Sequence, residues 1–254
     1  MNFKEKFFDF FNLYVEKKTS KKNISRILKK LLPRKIDHDL IRLGDDNDGG
    51  YLVPNDFKNL NKNYSAGIGD LSKFEKDLKD KFSIESNMLD FNKIDSSILP
   101  AGSKFLRKKI GIGLNEEVVT INNWLNHEKG EIVFKMDIEG DEYLTLASIS
   151  EENLKKIRIL VLEIHGLRNL RNQFFCETFE KVISKLCDVF YVCHLHVNNT
   201  SKIKNIGGFK IPDMLEITLI RKDRVKNFTN EFSRIPHKLD QKTVLNKKEI
   251  FIDQ

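Results

Sequence analysis

Glu131-Ile132-Val133-Phe134-Lys135-Met136-Asp137-Ile138-Glu139-Gly140-Asp141-Glu142-Tyr143 is the stretch that decides the fold. Its apolar half lacks polar alternation, as a strand covered on both faces does. It then delivers acids, a glycine and the opening of a helical pattern over 141–148. In an open parallel sheet, ligands bind outside the carboxyl ends of the strands. Asp137 and Glu139 share strand parity, so the pattern predicts that they point the same way. Capping of the following helix is the plain alternative. It accounts poorly for several carboxylates placed beside one glycine.

Outward from this stretch, short apolar runs recur at 64–68, 84–89, 105–112, 157–164, 189–197 and 215–220, with helical patterns at 71–82 and 174–187 between them. Alternating strands and helices predict an α/β fold with a mostly parallel sheet and helices on both faces. Before this body, residues 1–35 read as a basic helical arm. Phe3, Phe7, Phe10, Phe11 and Tyr14 recur at helical spacing. After Thr19-Ser20, Ile24, Ile27, Leu28, Leu31 and Leu32 do the same, until Pro33. Residues 36–254 form the main domain in this reading. The arm is expected to pack on its own domain or on a second copy in a homodimer, and peripheral contact with an anionic membrane is the alternative.

The strand run at 64–68 ends in Gly67-Ile68-Gly69, where glycines allow a tight turn and close approach of backbone to a ligand at the next helix. Asp90 lies 21 residues beyond Gly69 at the tip of the next strand run, the offset at which an acid holds a ribose. The run at 157–164 ends in Glu163 with His165 of equal parity, and a later run ends in His194, His196 and Asn198. Histidines converging with Asp137 and Glu163 suggest a general base or a divalent ion. Glu163 and Asp137 are the acids that would orient His165 or His196, either of which could be the base. No metal is assigned, and an ion among Asp137, Glu163 and a histidine is the alternative.

Charge distribution narrows the partners. The chain carries 44 Lys and Arg against 37 Asp and Glu, yet residues 1–35 hold +8, residues 36–220 hold −5 and the remainder holds +4. The candidate cleft thus lies in an acidic body, which speaks against a nucleic-acid substrate. Three cysteines without metal spacing make a disulfide framework unexpected and fit a reducing cytoplasm. The expectation is a protein without transmembrane segment or signal peptide. Lysine-rich, asparagine-rich coding fits a low-GC bacterium.

Gly67-x-Gly69, Asp90 and above all Lys135-Met136-Asp137-Ile138-Glu139-Gly140 followed by Glu142 resemble the FkbM-type S-adenosylmethionine-dependent methyltransferases. Arg42-Leu43-Gly44 with Asp48-Gly49-Gly50-Tyr51-Leu52-Val53 resembles the segment preceding the glycine motif in one branch. The resemblance covers about residues 40–220. It implies a Rossmann-like, class I methyltransferase sheet of seven strands with one antiparallel strand near its C-terminal edge, for which residues 216–220 are suited. By the same resemblance Gly67 and Gly69 approach S-adenosylmethionine, Asp90 binds its ribose, Phe91 covers its adenine and Asp137 sits beside the sulfonium. The glycine motif here has Tyr64-Ser65-Ala66 where the family carries an acid, so Asp48, Gly50 and Tyr51 are candidates for the methionine end. The implied reaction is O-methylation of a sugar or other small-molecule hydroxyl, often in capsular polysaccharide synthesis. A nucleic-acid methyltransferase, a nicotinamide oxidoreductase and a non-catalytic binding protein are the rivals. The sequence lacks an Asn/Asp-Pro-Pro-Tyr tetrapeptide, a third glycine and a suitably placed Tyr-x-x-x-Lys pair.

Overall fold

The computed structural model describes residue 10 and residues 16–69, 72–113, 115–227, 229 and 231–250. In chain order the elements are α1 (Lys21–Leu31), β1 (Leu40–Leu43), β2 (Tyr51–Pro54), β3 (Lys62–Ala66), α2 (Lys73–Phe82), β4 (Glu85–Asp90), β5 (Lys104–Arg107) and β6 (Lys109–Ile110). Then follow β7 (Val118–Val119), α3 (Ile121–Trp124), β8 (Ile132–Met136), α4 (Glu142–Ser148), α5 (Glu151–Lys156), β9 (Ile157–Ile164) and α6 (Gln173–Val189). β10 (Phe190–His196), β11 (Ile203–Ile206), β12 (Phe209–Pro212) and β13 (Leu215–Arg221) complete the set.

Seven strands form the central sheet in the order β5-β4-β3-β8-β9-β13-β10. Only β13 runs against its neighbours, β9 and β10. This is the class I methyltransferase arrangement, with the antiparallel strand one in from the edge. Every residue of β8 and of β9 is buried, which is why these strands read as continuous apolar runs. On one face Phe134, Leu160 and Leu162 meet Phe179, Ile183 and Leu186 of α6 in the main core. On the other, Val133, Ile159 and Val161 pack with Phe74 and Leu78 of α2 and with Tyr51 and Val53 of the β1–β2 hairpin. Full burial of each such side chain stabilises by roughly 1.5–3 kcal/mol, so the two-sided core holds the strand tips rigidly.

The expected helix after Thr19-Ser20 is α1, capped by the Ser20 side chain accepting from Asn23 N–H. Ile24 and Ile27 are fully buried in the main core, and Arg26 pairs with Glu180 of α6. The expected helix over Phe3–Tyr14 falls, apart from Phe10, outside the described residues. The run at 105–112 divides into β5 and β6 at Lys108. The β1–β2 and β11–β12 hairpins lie outside the apolar runs of the sequence. Each strand of these hairpins is four residues long, too short to carry a pattern. At the amino-terminal end of β9, Arg158 pairs with Glu131 and Asp56, while Arg221 joins Glu131 and Arg224 joins Asp56. No described helix is long and apolar enough to cross a membrane.

Candidate active site

The glycine turn is fixed by the strands around it. Gly67 N–H donates to Leu89 O of β4 and Asp137 N–H donates to Ala66 O of β3, each at 2.9 Å. Gly67 has φ +77°, and a Cβ there would lie 1.6 Å from Asp137 O, so both conformation and space demand glycine. Beneath the turn, buried Lys135 donates to Gly67 O at 3.3 Å and pairs with fully buried Glu75 at 3.4 Å. Lys135 therefore supports the turn from the face that also holds Tyr51 and Phe74.

A cleft of about 400 Å³ opens over these tips, lined by Gly67, Gly69, Asp90, Phe91, Lys109, Asp137 and Glu139 among others. Asp90 ends β4, and its Oδ2 accepts from Ile68 N–H at 2.9 Å and Gly69 N–H at 3.4 Å. It shapes the turn, and each carboxylate oxygen has acceptor capacity beyond these bonds. Phe91 is 45% exposed, with the Lys109 ammonium 4.7 Å from its ring centroid. At Gly69, also left-handed, a Cβ would meet nothing within 4 Å, so the backbone borders open space. The cleft volume, the exposed ring, the acid and the bare turn fit a nucleoside-bearing cofactor.

Beside the cleft, Asp137, Glu163 and His165 converge, offering one ligand atom each within 4.8 Å of the others. His165 Nδ1 lies 3.0 Å from Oε1 of fully buried Glu142. That same oxygen accepts from Ile138 N–H and Gly140 N–H, at 3.3 and 3.1 Å. The opposite nitrogen, Nε2, faces Glu139 Oε2 at 3.6 Å and Asp137 Oδ1 at 3.9 Å. Asn198 donates to Glu163 Oε1 at 3.1 Å, and the Tyr51 hydroxyl donates to Asp137 Oδ2 at 3.5 Å.

Proton affinities are raised throughout this cluster. Burial pushes the Asp137 and Glu163 carboxyls up, and neighbouring acids push them further. Burial opposes a charged His165, but the bond to Glu142 and the charges of Glu142, Glu163 and Asp137 outweigh it and lift the imidazole. At the other end of the sheet the reverse holds: Arg224 and Arg158 keep Asp56 low despite its burial.

The structure thus brings Asp137, Glu163, His165 and Tyr51 together beside Gly67, Gly69, Asp90 and Phe91. It does not bring the remaining candidates there. His196 is a correction: 2% exposed, it is held between Glu216 and Glu249, 3.1 Å from each. Both ring nitrogens are taken, so it has no free atom to act as base. Asp48 is exposed and caps its own turn through Gly49 N–H, and Gly50 packs on Arg42 and the Asp45 carbonyl, so neither lines the cleft. Glu139 lies past the end of β8 with φ +57°, so strand parity does not apply to it. Sequence reasoning missed Glu75, Asn198 and Glu216 as partners. Their only signal is that they are polar residues in otherwise apolar or capped settings.

No curated protein matches the chain. Among solved structures, M. capricolum TrmK in complex with the natural cofactor product S-adenosyl-homocysteine is similar at 10% identity and a TM-score of 0.36, over 72% of this chain and 70% of that one. Residues 45–193, more than half of the chain, match the methyltransferase FkbM domain. With its seven-stranded sheet and this cleft, the chain belongs to the FkbM methyltransferase family and is an S-adenosylmethionine-dependent methyltransferase.

Proposed function

We propose that the chain transfers the methyl group to a hydroxyl of a sugar or sugar conjugate, in the synthesis of a bacterial surface polysaccharide. The observation that carries this reading is the Asp137–Glu163–His165 cluster beside the cleft, two carboxylates and an imidazole converging with raised affinity for a proton. A hydroxyl, unlike an amine, must shed a proton to become a competent nucleophile, and such a cluster serves that need.

S-adenosylmethionine supplies an activated methyl on a sulfonium leaving group. The protein's own residues then have three tasks: to hold the acceptor oxygen in line, to exclude water and to manage the hydroxyl proton. Gly67, Gly69 and Asp90 shape the cofactor side, with Phe91 as a wall for the adenine. His165 is the histidine that activates the acceptor. Its Nδ1 is anchored on Glu142 and its Nε2 faces the acids at the cleft. Hydroxyl-rich acceptors also suit the carboxylates of Glu139 and Asp141, which line the cleft and accept hydrogen bonds.

The test is to incubate the protein with S-adenosylmethionine and a panel of nucleotide-linked and lipid-linked sugars, following S-adenosylhomocysteine release and product mass. A sugar gaining one methyl on oxygen is expected. Turnover confined to amines or oligonucleotides would overturn the reading.

A further inference from the structure

We infer that Asp137, Glu163 and His165 form a binding site for one divalent cation of the manganese(II) class, with open positions facing the cleft. The inference goes beyond the acceptor reading and does not depend on it.

Three observations converge. The first is that each side chain has an outer partner and a spare atom. His165 Nδ1 is held by Glu142, leaving Nε2 with no neighbour inside hydrogen-bond distance among the described residues. Glu163 is only 5% exposed, and Asn198 occupies Oε1 while Oε2 makes no hydrogen bond among the described residues. Tyr51 reaches Asp137 Oδ2, while Oδ1 is buried without a hydrogen-bond partner among the described residues. A ligand orientated by one outer contact and bare at the other atom is the arrangement found around bound metals.

The second observation is an imbalance of charge. Among the described residues no lysine or arginine pairs with Asp137, Glu163 or Glu142, whereas Glu131 and Asp56 at the other sheet end have arginine partners. Lys135, the nearest cation on β8, is committed to Gly67 O and Glu75. A cluster of this sign is costly to bury unless it binds a proton or a cation.

The third is the donor set itself. Two carboxylates and one imidazole suit manganese(II) and neighbouring first-row ions, and three protein ligands leave positions for water or acceptor oxygens. A hydroxyl that coordinates such an ion becomes more acidic. That is the chemistry the ion would supply beside the cleft; with the ion bound, His165 would act on the acceptor as a ligand to it and not as a free base.

The experiment is a manganese(II) titration of chelator-treated protein without cofactor or acceptor, with free ion read from its paramagnetic resonance signal. One ion per chain is expected, with an imidazole nitrogen coupling in the pulsed spectrum. Glu163→Gln and His165→Asn should each weaken binding at least tenfold, and His165→Asn should abolish the nitrogen coupling. His196→Asn should leave both unchanged. Thermal melts establish that each variant is folded, and if Glu163→Gln is not, His165→Asn carries the test. Absence of saturable binding at millimolar ion, or binding unchanged in His165→Asn, would overturn the site. A failure to methylate sugars would leave this titration as it stands, so the two proposals fail separately.

Discussion

His165 and His196 carry the same mark in the sequence, a histidine closing a strand run, yet they end in opposite states. Each places Nδ1 on a buried glutamate, Glu142 at 3.0 Å and Glu216 at 3.1 Å. The difference is at the second nitrogen. His196 Nε2 is taken by Glu249 from the C-terminal segment, while His165 Nε2 is left facing the cleft. Along one sheet edge, the segment over 231–250 has closed one half and left the other open. Asp240 closes His194 in the same way, at 2.8 Å. Residue type and strand position therefore do not tell a saturated histidine from an open one; the partner on the second nitrogen does.

The sharpest way to break the comparison is to remove each imidazole in turn. His165→Asn is expected to lower turnover by about 10²- to 10⁴-fold, the range of a lost acid–base or ligand function. Its cost in melting temperature is expected to be the smaller of the two, because Glu142 keeps the Ile138 and Gly140 N–H donors when the imidazole is gone. His196→Asn is expected to do the reverse, leaving turnover within about twofold while destabilising the fold by about 3 kcal/mol, because buried Glu216 and partly exposed Glu249 lose their shared partner. Equal turnover losses in both variants would show that the two halves of the edge are one site.

A pH series sharpens the same contrast. Burial opposes charge on His196, but its bond to Glu216 and the charges of Glu216, Asp240 and Glu249 raise it to about 9. Folded protein thus binds a proton that the unfolded chain, near 6.5, releases. Its contribution is complete below about pH 6.5 and is lost as pH rises through about 9. Urea midpoints from pH 6 to pH 10 should fall more steeply in wild type than in His196→Asn across that window. Parallel curves would mean that His196 is neutral in the fold.

On the open side the cofactor end gives a smaller effect. Asp90→Ala removes the acceptor that holds Ile68 and Gly69 N–H and lines the cleft where we propose that the ribose binds. Calorimetry should show S-adenosylhomocysteine binding about ten- to a hundredfold weaker, the worth of hydrogen bonds to a charged group. Unchanged affinity would move the ribose contact to another residue.

The sheet was legible because β8 and β9 are buried on both faces, so their apolar runs could not be mistaken for half-exposed strands. Asp137, Glu163 and His165 were legible together because parallel strands bring their carboxyl ends to one edge, whatever the distance in sequence. The partners were not. Glu249 lies 53 residues from His196 and Asn198 lies 35 from Glu163, and no local pattern encodes such approaches. Asp48 and Gly50 misled because a turn rich in glycine looks alike whether it cradles a ligand or only closes a hairpin. At Gly50 the neighbour is the Asp45 carbonyl, 1.9 Å from where a Cβ would stand.

The finest test separates saturation from position. Glu249→Gln keeps an oxygen that can accept from His196 Nε2 but removes its charge. Glu249 is partly exposed, so the loss should be at most about 1 kcal/mol, in line with ion pairs that water screens. If an open nitrogen alone made a histidine functional, loosening this contact would give His196 some share in turnover. Its imidazole would still be seated on Glu216, which stands opposite Glu163 across β13 and β9, so only that carboxylate row links it to the cluster. Turnover is therefore expected to stay within about twofold, with a slightly lower melting temperature and a His196 proton released at lower pH in an NMR titration. A several-fold change in turnover at wild-type stability would instead show that the row from His196 through Glu216 to Glu163 transmits charge to the active cluster.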